Sequence, residues 1–388
     1  MQLILIVISL VLFVVYALLI IYYRQNWLSI PDYKQRTTDN NYRTKISVII
    51  PARNEQQNIK VCLDSISAQS YPAALFEIIV VDDFSTDDTA KIILQYQNVQ
   101  LLQLQNFVPD KINSYKKKAI EIAIQHATGE LIVTTDADCI VPQNWLKTIA
   151  AFYEEHQPAF IAMPVLIDSG NKFIEIFQAL DFMTLQGITG AAVNKKFHSM
   201  CNGANLAYTK QAFIEVDGFK NIDNIASGDD MLLMHKIALR YPDKVKFLKS
   251  KDVIVKTNPV ENVKEFINQR IRWASKADKY TDKSLLPVLM IVYFLNVLLL
   301  IMPFIALCCN ADFSFFIFHF SFLQSWLLLL ALKISVELFF LYPVAAFFNR
   351  KNLLLWFIIS QPFHIVYTVI AGWLGKFGSY HWKDRKVK

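Results

Sequence analysis

The pattern of apolar and polar positions separates a central region of mixed character from long apolar runs on both sides of it. A helix crosses a bilayer with about 20 consecutive apolar residues. Runs of at least that length cover residues 3–23, 285–309, 313–348 and 352–375. The third contains Lys333 and Glu337, and the fourth contains His364. The pattern therefore predicts a membrane protein.

The first run has no basic residue before it and no small-x-small cleavage motif after it, so we predict a retained anchor rather than a signal peptide. Arg24, Lys34 and Arg36 follow it closely, and basic residues flank membrane helices on the cytoplasmic side. The predicted organisation is an N-terminal transmembrane helix at 1–24, a cytoplasmic domain at 42–282, transmembrane or interfacial helices at 285–376 and a basic tail at 377–388. We expect a multi-pass protein of the cell (inner) membrane.

Within the central region, short strand-like runs alternate with helix-like segments. The strand-like runs are 45–51, 76–83, 99–104 and 130–135, and the helix-like segments are 57–69, 90–94 and 115–127. This alternation predicts an α/β fold in which a mostly parallel sheet is covered by helices. Ligands of such sheets bind beyond the carboxyl ends of the strands.

Composition supports the membrane prediction and narrows the class of partner. Hydrophobic residues make up 54% of the chain and charged residues 19%, with a formal net charge of +6. No basic stripe with interleaved aromatic residues is present, so we predict no nucleic-acid partner. The five cysteines show neither metal-ligand spacing nor a disulfide framework, which suits a reducing compartment.

Acidic residues follow two of the predicted strands. Asp82 and Asp83 end the second strand, and Asp136 and Asp138 directly follow the fourth. A divalent cation commonly binds one or two carboxylates together with substrate phosphates, so we predict Mg²⁺ or Mn²⁺ at Asp138 and Asp136. A carboxylate at Asp83 could accept a hydrogen bond from a nucleobase. The alternative is that these residues are ordinary polar turns.

Two further groups of residues lie later in the chain. Asp229 and Asp230 precede a helical apolar run, which fits a helix N-cap, a general base or both. Gln269, Arg272 and Trp273 are spaced to share one helical face, which suits a sugar ring and a diphosphate or, alternatively, a core tryptophan beside a headgroup-binding arginine.

The remaining basic residues are harder to interpret from their spacing. We predict that Arg270, off the face of Gln269, Arg272 and Trp273, is a surface charge. Among residues 116–118, all lysines, one could face a diphosphate while the other two form a solvated face.

Seven segments in order resemble the membrane-bound family 2 glycosyltransferases, a family that includes cellulose, chitin and hyaluronan synthases and ceramide glucosyltransferase. They are IIPARNE, VVDDFSTDDT, KKKAIEIAIQHATGE, TTDAD, CNGANLAY, SGDDMLL and QRIRW. The resemblance implies a GT-A fold, a hexosyltransferase-type enzyme, inversion at the sugar carbon and a nucleotide-sugar donor that is usually UDP-linked.

The resemblance also implies roles for individual residues. Donor binding would involve Glu55, Asp82, Asp83, Lys116 and Asp136, with the metal at Asp138 and Asp136. Asp230 would be the catalytic base. The acceptor and diphosphate would contact Asn202, Gly203, Asp229, Gln269, Arg272 and Trp273. Asp229 replaces the family's commoner glutamate.

The number of apolar runs bears on the product. One apolar run precedes the domain and about three follow it, which are few helices for a polysaccharide channel. We therefore predict transfer to a lipid-linked or glycan acceptor. The alternatives are a processive polysaccharide synthase and a non-catalytic partner of a synthase. A nucleotidyltransferase is disfavoured because the segment after the first strand has no glycine-rich phosphate loop.

The same count raises a problem of topology. Four crossings would place the basic tail outside, against the charge rule. We therefore hypothesise that residues 352–375 bend back near Gln361 and Pro362 or lie along the interface, leaving the tail, with His381, Trp382 and Lys383, in the cytoplasm.

Overall fold

The structure is a computed structural model that describes residues 2–35, 42–109, 112, 114–197, 200–225, 228–275, 285–308, 312–315, 318–378, 380–382 and 385–387. Parts of the predicted tail, including Lys383, lie outside the described residues, as do Arg36, Cys309 and Asp282. The helices are Gln2–Leu28 (α1), Ile59–Ser67 (α2), Thr89–Ile93 (α3), Tyr115–His126 (α4), Trp145–His156 (α5), Phe173–Asn194 (α6), Lys210–Glu215 (α7), Met231–Arg240 (α8), Val263–Ala274 (α9), Leu285–Cys308 (α10), Phe322–Phe347 (α11) and Leu354–Phe377 (α12).

The strands are short, as is usual for a mixed α/β protein. They are Ile46–Ala52 (β1), Phe76–Asp82 (β2), Val99–Gln103 (β3), Leu131–Thr134 (β4), Cys139–Ile140 (β5), Phe160–Ala162 (β6), Val165–Ile167 (β7), Leu206–Thr209 (β8), Val245–Phe247 (β9), Val255–Thr257 (β10), Asp312–Phe315 (β11), Phe318–Ser321 (β12), Tyr380–Trp382 (β13) and Arg385–Val387 (β14).

Two compact units divide the chain, and each is described by itself. The sheet unit comprises Ser29–Ser169 and Leu185–Pro259. The membrane-helix unit comprises Met1–Leu28, Gly170–Thr184 and Val260–Lys388. The domain limits expected from the sequence stay predictions.

The sheet unit is built on a seven-stranded sheet in the order β3-β2-β1-β4-β8-β6-β9. Strands β1, β2, β3 and β4 run parallel, β8 is antiparallel to β4 and β6, and β9 is parallel to β6. Residues of β1 and β2 are almost entirely buried, as expected when a parallel sheet is covered on both faces. The predicted mostly parallel sheet is confirmed.

A close approach between β1 and the turn before β4 depends on a glycine. The Gly129 amide donates to the Ser47 Oγ at 2.8 Å. A Cβ at Gly129 would lie 2.5 Å from the Ser47 amide nitrogen and 2.7 Å from the Ile46 carbonyl carbon, and backbone atoms cannot move aside as a flexible side chain can.

We expect Gly129→Ala to lower the free energy of unfolding by about 1–3 kcal/mol, since overpacking forces backbone shifts. Thermal unfolding of the purified chain in detergent measures this. Gly170→Ala is the matched control, because its Cβ would meet only the end of the Glu175 side chain. Equal melting temperatures for the two variants would contradict the packing argument.

In the membrane-helix unit, α11 begins at Phe322, where Ser321 and Gln324 form a capping box, and not at residue 313. The stretch before it contains β11 and β12. Helix α12 continues through Pro362, so the hypothesis that the chain bends back there is wrong.

Polar side chains from three helices of this unit form a buried network. The Lys333 ammonium lies 2.8 Å from both Glu337 Oε1 and Gln361 Oε1, and Gln361 Nε2 donates to Glu337 Oε2 at 2.9 Å. The Tyr16 hydroxyl also donates to Glu337. Charges inside apolar helices are costly unless paired. The network thus links α1, α11 and α12.

Candidate active site

The candidate donor residues follow the carboxyl ends of adjacent parallel strands. β1 pairs with β2 so that Ala52 lies opposite Asp82, and β1 pairs with β4 so that Ile49 lies opposite Thr134. Asp83, just after β2, donates its amide to the Ala52 carbonyl at 2.8 Å. The strand ends therefore bring the predicted acidic residues to one edge of the sheet.

A lysine from the start of α4 connects two of the predicted acidic groups. The Lys116 ammonium lies 2.6 Å from Asp136 Oδ1 and 3.4 Å from Asp229 Oδ2. Burial lowers the pKa of Lys116, but the charges of Asp136 and Asp229 outweigh it, so the net pKa lies well above its usual value. The ammonium therefore stays charged throughout the physiological range.

Gly203 allows this cluster to close. Its carbonyl accepts from Thr134 Oγ1 at 3.1 Å, and its amide donates to Asp230 Oδ2 at 3.2 Å. A Cβ there would lie 3.1 Å from Asp229 Oδ2 and 3.3 Å from Lys116 Nζ. Asn202 supports the turn because its Oδ1 accepts the Ala204 amide at 2.9 Å.

Asp230 is the N-cap of α8. Its Oδ1 accepts the Met231 amide at 2.7 Å, while Oδ2 accepts the Gly203 amide. The capping interpretation is thus observed directly. It leaves room for a base role, since a carboxylate offers about four lone-pair sites.

Asp138 directly precedes β5 and contacts β10. Its Oδ2 lies 3.4 Å from Thr257 Oγ1 and its Oδ1 lies 3.6 Å from Cys139 Sγ. Across the described ranges, no group of three or more His, Cys, Asp and Glu residues could hold a metal by itself. Asp138 and Asp136 fit a cation that takes its other ligands from a diphosphate and water, as Mg²⁺ commonly does.

The segments that follow β1 and β2 are joined by hydrogen bonds from a side chain to the backbone. Arg53 Nη1 donates to the carbonyls of Asp83 at 2.8 Å and Phe84 at 3.1 Å. Glu55 Oε2 accepts from Asn58 at 2.9 Å. Burial raises the pKa of Asp82, whose Oδ1 is buried and has no hydrogen-bond partner among the residues that the structure describes.

The three residues of the Gln-x-x-Arg-Trp motif lie on α9, in the membrane-helix unit, and the predicted helix there is observed. Gln269 Oε1 is buried and lacks a hydrogen-bond partner within the described ranges. The Trp273 ring packs against Phe182 at a centroid distance of 6.0 Å. Arg272 is half-buried.

The prediction that Arg270 is a surface charge is wrong. Its side chain is 4% exposed, and its Nη2 lies 2.8 Å from Asp181 Oδ2. The guanidinium also lies 4.1 Å from the centre of the Trp273 ring and 4.7 Å from that of Phe266. The buried face of α9 is formed by Phe266, Arg270 and Ile271. The carboxylate of Asp181, which is distant in sequence, pairs with the buried Arg270 cation and offsets the cost of its burial.

The solvated-face prediction is also wrong for one of the other lysines. Lys117 is 2% exposed and donates to the carbonyls of Ile222 and Ile225, whereas Lys118 is half-buried and pairs with Glu121. The sequence around the first turn of α4 does not indicate that Lys117 is buried, because its acceptors are backbone carbonyls of a loop that is distant in sequence.

With this geometry in place, comparison with known proteins relates part of the chain to a family. Residues 47–216 match the family model described as Glycosyl transferase family 2. The matched domain covers less than half of the chain. The resemblance to family 2 glycosyltransferases is thereby confirmed for residues 47–216, whereas the activity of the whole chain and the roles of individual residues stay predictions.

Relatives of this domain are similar over part of their length only. Poly(ribitol-phosphate) beta-N-acetylglucosaminyltransferase TarS of Staphylococcus aureus is 35% identical over 112 residues, which are 29% of this chain and 19% of TarS. A dolichyl N-acetyl-alpha-D-glucosaminyl phosphate 3-beta-D-2,3-diacetamido-2,3-dideoxy-beta-D-glucuronosyltransferase of Methanococcus voltae is 29% identical over 151 residues, which are 37% of this chain and 46% of the relative.

One solved structure resembles the chain over almost its whole length. It is the mannosyltransferase PcManGT from Pyrobaculum calidifontis in complex with GDP-Man and Mn²⁺, with a TM-score of 0.57 and 20% identity, covering 96% of this chain and 98% of that one. At this identity the likeness shows the fold, and it confirms the predicted GT-A fold.

We expect Arg270→Met to lower the free energy of unfolding by about 3–5 kcal/mol, because it leaves Asp181 buried without its cation. The double variant Arg270→Met with Asp181→Asn should recover part of the loss. Thermal unfolding in detergent measures both.

The exposed pair of Lys196 and Asp243 provides the control, since Lys196→Met removes an ion pair worth at most about 1 kcal/mol. Additive losses in the Arg270 and Asp181 double variant would contradict a direct interaction between the two side chains.

Proposed function

We propose that the chain is an inverting, metal-dependent glycosyltransferase that transfers a sugar from a UDP-linked donor to a lipid-linked acceptor at the cytoplasmic face of the membrane. The observation that carries the proposal is the bridge from Asp136 through Lys116 to Asp229. It joins the acidic strand end expected to hold the donor to the carboxylate next to the candidate base.

In the donor half of the reaction, a nucleoside diphosphate is the leaving group. Asp138, with Asp136, would hold Mg²⁺ or Mn²⁺, and a bound cation neutralises charge on the departing diphosphate. Lys116 is charged and lies 2.6 Å from Asp136, so it can bind the oxygens of the same diphosphate. Glu55, Asp82 and Asp83 would contact the nucleoside from the ends of β1 and β2.

The acceptor half requires a base. The acceptor hydroxyl oxygen attacks the anomeric carbon from the face opposite the diphosphate while its proton passes to the Asp230 carboxylate. The new C–O bond forms as the bond between carbon and diphosphate oxygen breaks, and the diphosphate keeps the electron pair. Such attack inverts the configuration. Gly203 and Met231 orient the carboxylate through their amides.

Packing of α9 favours a lipid-linked acceptor. Phe266 and Ile271 of the motif helix form one apolar cluster with Tyr367 and Ala371 of α12. The motif residues Gln269, Arg272 and Trp273 thus belong to a helix that packs on an apolar helix. An acceptor carried by the bilayer would reach such a helix without leaving the membrane surface.

Contacts within the membrane-helix unit support a proposed membrane topology. In the described part of the chain, four helices are long and apolar enough to cross a membrane: Ile4–Leu28, Leu285–Ala306, Phe322–Phe347 and Lys351–Phe377. The rings of Trp27 and Phe347 meet at 5.4 Å, so α1 and α11 end on the same side, and α12 starts on that side after a short connection.

The far end of α12 lies beside the end of α9 and the first half of α10. A Cβ at Gly372 would lie 2.8 Å from the Tyr293 ring, and one at Gly375 would lie 2.6 Å from Ala274 Cβ. A perpendicular crossing of about 36 Å would instead carry Gly375 towards Cys308. We therefore assign α1, α10 and α11 as crossings and α12 as an oblique interfacial helix, which puts the basic tail in the cytoplasm as the charge rule requires.

Asp230→Asn should lower sugar transfer by about 10²–10⁴-fold, the usual contribution of a general base, without weakening UDP binding in the presence of Mn²⁺. Asp138→Asn should weaken that Mn²⁺-dependent UDP binding. Calorimetry with UDP and a transfer assay with a panel of UDP-sugars measure the two effects. Asp243→Asn, on an exposed side chain, is the control. Unchanged turnover in Asp230→Asn would refute the mechanism.

A cysteine placed at Phe377, which is 65% exposed, tests the topology. With Cys201, Cys308 and Cys309 replaced by alanine, Phe377→Cys in right-side-out vesicles should react with an impermeant maleimide only after permeabilisation. Lys60→Cys should behave in the same way and Gln2→Cys should react in intact vesicles. Labelling of Phe377→Cys in intact vesicles would show that α12 crosses.

A further inference from the structure

The segment between α7 and α8 is held from two sides by lysines. Lys117 Nζ, from α4, donates to the carbonyls of Ile222 and Ile225, both at 2.6 Å. Lys236 Nζ, from α8, donates to the carbonyls of Gly218 at 2.6 Å and Lys220 at 2.9 Å. Four backbone carbonyls of this one loop thus accept hydrogen bonds from the ammonium groups of α4 and α8.

Burial of Lys117 indicates that these bonds matter. Its side chain is 2% exposed, and ammonium groups are almost never buried unless they are paired or hydrogen-bonded, because desolvation is costly. Charge-assisted hydrogen bonds are about twice as strong as neutral ones and offset part of that cost. Ser114, at the N-cap of α4, adds a hydrogen bond from its hydroxyl to the Asp223 carbonyl.

The backbone of the segment would not adopt its path unaided. Asp217 and Asn221 have φ values of 53° and 71°, and Gly218 has 46°. Residues other than glycine in this left-handed region cost free energy and persist where the surroundings hold them. The lysine bonds to the neighbouring carbonyls are such a restraint.

The segment precedes the candidate catalytic carboxylates in the sequence. Residues 226 and 227 lie outside the described residues, and Gly228, Asp229 and Asp230 follow. Lys116, the residue before Lys117, contacts Asp229 at 3.4 Å. One turn of α4 therefore contacts the loop at its carbonyls and the carboxylate that follows the loop.

We propose that Lys117 is a positioning residue, which holds residues 217–225 against α4 and so sets the place of Asp230 relative to Lys116 and Asp136. It acts through the loop backbone, does not itself contact the substrate, and rests on the base role proposed for Asp230. Lys236 holds the same segment from α8, the helix that Asp230 caps.

The experiment compares four variants of the full-length protein in detergent. Lys117→Met removes the ammonium but keeps most of the side chain, Lys117→Arg keeps a cationic donor, and Lys236→Met removes the second contact. Lys118→Met is the matched control, because Lys118 is the next residue of the same helix and pairs with Glu121. Hydrogen exchange of peptides from 217–225 and from β4, UDP binding with Mn²⁺, and kcat for sugar transfer are measured.

Lys117→Met should raise amide exchange in 217–225 about tenfold or more while β4 is unchanged, since a local opening exposes only its own amides. Its kcat should fall on the order of 10²-fold, as expected from a displacement of about 1 Å at a catalytic group, with UDP affinity preserved. Lys236→Met should raise the same exchange, Lys117→Arg should restore part of kcat, and Lys118→Met should match the unmodified protein.

The proposal is overturned if Lys117→Met matches Lys118→Met in both exchange and kcat. It is also overturned if Lys117→Met raises exchange in β4 and abolishes UDP binding, because this would show a general role in folding. The exchange result does not depend on turnover. A failure of the base assignment, seen as unchanged kcat in Asp230→Asn, is therefore distinguished from a failure of the positioning role.

Discussion

Several carboxylates can gather at one end of the sheet because an ammonium group lies among them. Asp136 follows β4 and Asp229 precedes α8, and both approach Lys116 within ion-pair distance. At an effective dielectric constant of 20, two charges about 4 Å apart interact by about 4 kcal/mol, so the sign of the central group decides whether the arrangement is stable. Gly203 belongs to the same constraint, because a side chain there would press on both Asp229 and Lys116.

The sequence predicted the sheet edge well for a simple physical reason. Parallel strands present their carboxyl ends together, so acidic residues that directly follow two buried apolar runs must meet at one edge. Asp83 and Asp136 are in this position, and both the mostly parallel sheet and the helix α4 were predicted from periodicity. The ends of these strands differed from the predicted ones by at most one residue, which is within the usual uncertainty of terminal positions.

Side chains whose environment is set by distant partners could not be predicted. Three consecutive lysines look alike in sequence, but they point in three directions because successive residues of a helix are about 100° apart. Lys116 meets carboxylates, Lys117 meets loop carbonyls and Lys118 meets Glu121. The same holds for Arg270, because its burial depends on the position of Asp181, which the sequence does not show. By contrast, Lys333 and Glu337 are four residues apart on α11, a spacing that suggests their ion pair from sequence alone.

The residues proposed for the donor and the residues of the Gln-x-x-Arg-Trp motif belong to different units of the chain. The residues proposed for the donor lie in the sheet unit, on loops fixed by neighbouring strands. The motif residues lie in the membrane-helix unit, on a helix whose apolar face packs against α12. A sugar nucleotide is soluble and needs a polar, preorganised site, whereas a lipid-linked acceptor is confined to the bilayer and needs a site attached to it. If α12 lies obliquely at the interface, α9 is held at the depth where the acceptor's headgroup emerges. Under the proposed topology, the aromatic cluster around Phe266 and Tyr367 and the Arg270–Asp181 pair would keep the motif helix at that depth.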